Sequence, residues 1–178
     1  MKKTLDILLI IIIFFVIYFL QSNFFTWFNI AGIMPNLFIV LITIIGLFLK
    51  KDFGFGLGIV LGLLLDFFIG VRIGINTITF AIIGLIAGVL DKNFSKDNKL
   101  TLMSIVSFLT FLAEFIIYVL EILFLKVQFN FITFIKCIAI EVIFNALLVI
   151  IFYPLIIKFG NNLEDDFINN NKFLNFLN

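Results

Sequence analysis

Apolar residues fall in six long runs along this chain, and polar residues are concentrated in the short gaps between them. The runs cover residues 5–20, 36–49, 53–69, 75–90, 100–125 and 132–157. Crossing a hydrocarbon layer takes about 20 predominantly apolar helical residues, fewer for a short span and more for a tilted one. The pattern therefore predicts an all-α integral membrane protein, a compact bundle of six transmembrane helices. Residues 1–160 are expected to form a single six-helix transmembrane domain, and residues 161–178 a short polar cytoplasmic tail.

The third and fourth runs carry a second pattern inside the first. Gly54, Gly58 and Gly62 recur every four residues, Asp66 continues the same ridge, and Gly70 closes the run. One strip of that helix bears almost no side chain until it reaches a carboxylate. Small residues at this spacing let membrane helices approach backbone to backbone, where dispersion replaces the hydrophobic drive that lipid does not supply. The fourth run offers a matching face in Thr77, Ala81, Gly84 and Gly88. The two runs read as a close-packed helical hairpin.

The succession Pro35-Asn36-Leu37, Gly58 and Gly62, Leu63-Leu64-Leu65-Asp66, Gly70, Gly74, Asn76, Gly84 and Gly88 resembles the core of the rod shape-determining protein MreD family. The resemblance runs from about Pro35 to Asp91, and in outline over the whole sequence. Family members usually carry Asp after the proline, where this chain has Asn36. The resemblance implies a non-catalytic component of the bacterial cell-elongation machinery. Its implied partners are MreC, directly, and the filament protein MreB, RodA and a class B penicillin-binding protein through the complex.

Composition narrows the chemistry. The chain is 63% hydrophobic and 13% charged, which leaves no room for a soluble domain beside the spans. It has no histidine and one cysteine, Cys137, which removes imidazole catalysis, His/Cys metal sites and intrachain disulfides together. No catalytic residue, metal ligand or cofactor site is assigned. The 27 phenylalanines are scattered over every span and read as lipid-facing and core filler.

Charge sets the expected orientation, because Lys and Arg in short loops favour the cytoplasmic side. With six spans, Lys2, Lys3, Lys50, Lys51, Lys92, Lys96, Lys99, Lys158 and Lys172 share one side, against Arg72 and Lys126 on the other. Both termini are expected in the cytoplasm, and the protein in the bacterial inner membrane. The first run lacks a small-residue cleavage site and reads as a retained anchor. Trp27, with its neighbouring phenylalanines, suits the headgroup level. Pro35 is expected to open the second span, and Pro154 to stand near the end of the sixth.

Ionisable groups within spans are costly and tend to face protein or water. Asp66, Glu121 and Lys136 lie at similar depth, so an ion-paired cluster is possible, as is a Lys136 that simply reaches to the surface. Glu114 and Glu141 lie deeper and need a partner or a proton there. Glu114, Tyr118 and Glu121 share one helical face, while Glu141 and Asn145 share another. Such faces suit either polar groups satisfying one another between helices or a solute site.

Three functional classes follow. The first is the MreD-like scaffold. The second is the substrate-binding membrane subunit of an energy-coupling-factor vitamin transporter, also a six-helix protein of this size. It would call for an outward pocket beneath polar loops, whereas the outer loops here are short apart from the uncharged Gln21–Met34 segment. The third is an intramembrane enzyme using Asp66, Glu114 or Glu141, for which no paired carboxylate motif is present.

Overall fold

Residues 38–49 are buried without exception, so one short helix forms the axis around which the other helices stand. A helix that is apolar on every face finds its place only where neighbours cover every face. The computed structural model describes residues 2–69, 73–90, 98–128 and 130–169. Helix α1 (Lys2–Phe19) continues through a π-helical turn (Leu20–Phe24) into the single turn of α2 (Phe25–Trp27). Then follow α3 (Leu37–Ile69), α4 (Ile75–Leu90), α5 (Lys99–Leu125), α6 (Phe131–Glu164) and a π-helical turn (Asp165–Asn169). Among the described residues there is no strand; the Ile30–Ile33 pairing is an isolated bridge closing a tight turn.

Four stretches are long and apolar enough to cross a membrane: Ile7–Trp27, Leu37–Ile69, Lys99–Leu125 and Phe131–Phe167. Ile75–Leu90 is apolar but shorter, 16 residues, or about 24 Å at 1.5 Å per residue.

The long helix α3 is two limbs. At Lys50 the backbone leaves helical geometry (φ 68°, ψ 173°), in the middle of the Lys50-Lys51-Asp52 cluster. A Cβ added at Gly54 would lie 2.8 Å from the Cα of Gly46. Eight residues of straight helix would separate those positions by about 12 Å. Residues 37–49 and 51–69 therefore fold back against each other, with one residue as the bend.

Helix α1 lays Ile10 and Phe14 against this centre, with the Phe14 ring 5.2 Å from that of Phe38. Ile13, Ile17 and Tyr18 are half-buried against it, whereas Leu8, Ile12 and Val16 are exposed. At the opposite end of the chain, α6 runs through Pro154 without ending and continues to Glu164. Pro154 is thus interior to the helix. Leu163 and Phe167 are buried, and the Phe167 ring meets Phe53 edge-on at 5.5 Å. Residues 161–167, expected at the start of a polar tail, are instead docked on the bundle.

Asparagines set the helix starts. Asn98 accepts from the Leu100 N–H at 2.9 Å and Asn130 from the Thr133 N–H at 3.1 Å, each capping an N-terminus that has no intrahelical partner for its first donors. The Tyr118 hydroxyl accepts from the Asn130 N–H at 2.8 Å and ties the end of α5 to the start of α6.

Candidate functional site

Two features converge at the end of the bundle that holds α2 and the α3–α4 turn. The first is the glycine contact. A Cβ at Gly54 would strike the Gly84 carbonyl oxygen, one at Gly58 the Phe80 carbonyl, and one at Gly62 the Thr77 Cα at 2.5 Å. A Cβ at Gly84 would meet the Gly54 backbone, and one at Gly88 the backbone of Lys50 and Lys51. The strip on residues 51–69 thus lies directly on α4, and Ala81 and Thr77 fall in the same seam. Gly46, which the four-residue spacing did not single out, enters it from the other limb, with a Cβ placed 2.6 Å from both Ala87 Cβ and the Gly84 oxygen. Gly160 on α6 is a second such position, where an added Cβ would lie 2.5 Å from the Phe48 ring. Gly70 and Arg72 lie outside the described residues.

Asp66 terminates the strip and is 1% exposed. Its Oδ2 accepts from Gly74 N–H at 2.9 Å, Thr77 N–H at 3.0 Å and the Thr77 hydroxyl at 2.6 Å. Its Oδ1 accepts from Asn76 N–H at 3.2 Å and Asn76 Nδ2 at 2.8 Å. These backbone donors are the orphan N–H groups at the start of α4, where the helix dipole also favours negative charge. A carboxylate on one helix is therefore the N-terminal cap of the next. Gly74 sits in this turn at φ +94°, a conformation that costs a side chain dearly. Lys136 is not among the partners of Asp66 and is exposed on α6, so the cluster of Asp66, Glu121 and Lys136 does not form around this carboxylate. Equal depth along helices fixes height but not azimuth. Glu121 is half-buried on α5.

The second feature is a polar cluster beneath the α1–α3 connection. Asn145, fully buried, accepts from the Asn36 N–H at 3.0 Å and donates to the Thr110 hydroxyl at 3.1 Å. Asn36 in turn offers its Oδ1 to the Ile39 N–H at 3.4 Å, a long cap on α3. That task needs only a side-chain oxygen, which Asn supplies as Asp would. Pro35 precedes the cap instead of occupying the first turn.

Next to this network opens a cavity of about 670 Å³. Glu114, Glu141, Asn36, Asn76 and Cys137 contribute to its lining, with Phe38, Leu65, Ile69 and Ile117 among the apolar wall. Much of the remaining wall is Gln21, Ser22, Thr26 and residues 32–35, so the uncharged connection before α3 is one side of a ligand-sized pocket. Glu141 is 7% exposed, and its Oε1 has no hydrogen-bond partner among the described residues. Glu114, half-buried, lines the same space beside the Glu141 carboxyl. Among the described residues, no group of three or more His, Cys, Asp or Glu side chains is placed to hold a metal ion.

A family model described as rod shape-determining protein MreD matches residues 1–163. No curated protein and no solved structure matches the chain significantly.

Proposed function

The chain belongs to the MreD family, and from that membership we propose that it serves rod-shape determination as a non-catalytic scaffold of the cell-elongation machinery, holding MreC in the membrane. In this reading the two limbs of α3 are separate spans, and with α1, α4, α5 and α6 they make six. Both termini then face the cytoplasm of the bacterial cell, and α2 with the α3–α4 turn faces outward. The split of Lys and Arg described above supports this orientation. MreB, RodA and a class B penicillin-binding protein join through the complex.

The observation that carries the reading is the match over residues 1–163. The structure adds a constraint on where a partner can sit. Gly54, Gly58, Gly62, Gly84 and Gly88 are used up in contacts within the chain, so their strip is closed to MreC. Gly56 is different: a Cβ there meets nothing within 4 Å, and it lies on the other side of the same limb. Affinity purification of the membrane complex tests the scaffold directly. MreC co-isolates with the native chain and is lost with Gly56→Leu, while the variant remains folded. Cells lacking the protein round up.

The 670 Å³ cavity is the one observation that favours the transporter-subunit reading. Co-isolation of ATPase subunits in place of MreC, with a vitamin-uptake defect and normal shape on deletion, would establish that reading and remove the scaffold.

A further inference from the structure

The cavity has acceptors that the protein leaves unanswered. Glu141 Oε1 and Gln21 Oε1 are both buried without a hydrogen-bond donor among the described residues, and both residues line it. A buried acceptor left unpaired costs about 1–3 kcal/mol, more when charged, so such groups signal a missing donor. Glu114 adds a second carboxyl to the lining, and among the described residues no Lys, Arg or His contributes to it. The walls facing these groups are apolar, from Phe38, Leu65, Ile69 and Ile117. Pockets of 300–1,000 Å³ with apolar walls and a few convergent polar groups are the usual form of small-molecule sites.

We propose that this cavity binds a primary ammonium group carried on an apolar body, with the ammonium donating to the carboxyls of Glu141 and Glu114. A donor with three N–H bonds can serve more than one acceptor of this lining, while the apolar body replaces water against the phenylalanine and aliphatic wall. The ammonium can come from a free amphipathic amine or from the headgroup of phosphatidylethanolamine. This site is independent of the scaffold role, and the test below uses the purified chain alone.

Cys137 lines the cavity and is the only cysteine, which makes it a built-in reporter. The full chain in phosphatidylglycerol nanodiscs is treated with 2-aminoethyl methanethiosulfonate or 2-sulfonatoethyl methanethiosulfonate, with N-acetylcysteinamide as the reference thiol. Carboxyls in a low-dielectric cleft concentrate cations, so the cationic reagent should be favoured by roughly tenfold or more over the reference ratio. Phenethylamine should slow modification saturably, and phenethyl alcohol should not. Glu141→Gln and Glu114→Gln should each weaken that protection at an unchanged unfolding temperature. If one of them fails to fold, the comparison of amine with alcohol on the native chain still decides. Equal reagent preference, equal protection by the alcohol, or full protection in both Gln variants overturns the proposal. Protection on replacing half the phosphatidylglycerol by phosphatidylethanolamine, with no amine added, assigns the site to the lipid headgroup. Protection by phenethylamine alone assigns it to a free amine.

Discussion

Asp66 and Thr77 share two hydrogen bonds across the α3–α4 turn, with the backbone N–H at 3.0 Å and the hydroxyl at 2.6 Å, both to Oδ2. Together with the bonds from Gly74 and Asn76, they leave neither carboxylate oxygen spare. Among the described residues, every hydrogen-bond partner of those oxygens is a donor. Asp66→Asn therefore sets an NH₂ group against N–H and O–H groups and should lower stability by about 1–3 kcal/mol. Asp66→Leu strands all the donors and should cost more. Thermal unfolding of the purified variants in detergent ranks them, and an Asn variant as stable as the native chain would deny the cap its role.

The glycine seam makes a prediction with its own control. Gly62→Ala and Gly84→Ala drive a methyl group into opposing backbone, for which about 1–3 kcal/mol of destabilisation is expected. Leucine at either position should reduce the folded yield. Gly56→Ala occupies open space in the same helix and should be neutral or stabilising by up to about 1 kcal/mol. Equal unfolding temperatures for all three alanine variants would mean that the seam is not close-packed.

Asn145 links three elements through two bonds, to Asn36 and Thr110. Removing it leaves the Asn36 N–H without this acceptor, and Asn145→Ala should cost about 1–2 kcal/mol. Polar side-chain pairs between membrane helices couple weakly, averaging about 0.6 kcal/mol. A double-mutant cycle of Asn145→Ala with Thr110→Val should return a coupling of that size, leaving most of the loss on the backbone bond. A coupling equal to the whole loss would reverse that division.

Topology is testable at the two ends of the 37–49 limb, before it and just past the bend at Lys50. Single cysteines at Ser22 and at Asp52, in a Cys137→Ser background, should be accessible to impermeant reagent from opposite sides of the membrane. Labelling of both from outside intact cells would put the bend at Lys50 on the wrong side.

The helices were readable because bilayer thickness imposes a length on each apolar run, and because Lys50-Lys51-Asp52 interrupts an otherwise continuous one. The seam was readable where glycines recur at four-residue spacing, but Gly46 and Gly160 were not, since Gly46 stands alone in the 37–49 limb and Gly160 alone in α6, and each has meaning only through a distant partner. The capping role of Asp66 was not legible, and an ion pair with Lys136 stood only as one possibility. Its donors are backbone groups of the next helix, which have no signature in residue type. The bond between Asn36 and Asn145 joins residues 109 positions apart, and the cavity wall from Gln21 to Pro35 depends on how an uncharged connection folds back. Neither is a local property of the chain.

The bend at Lys50 also bears on how the protein enters a membrane. In the six-span reading proposed above, a single residue separates 51–69 from 37–49, so neither limb would leave the insertion machinery far ahead of the other, and the pair would enter as a closed hairpin. Gly88 then presses its backbone on Lys50 and Lys51 from α4. The three helical segments that meet around Gly46, Gly54 and Gly84 would thus form the first assembled unit during synthesis, while α5 and α6 are still to be made.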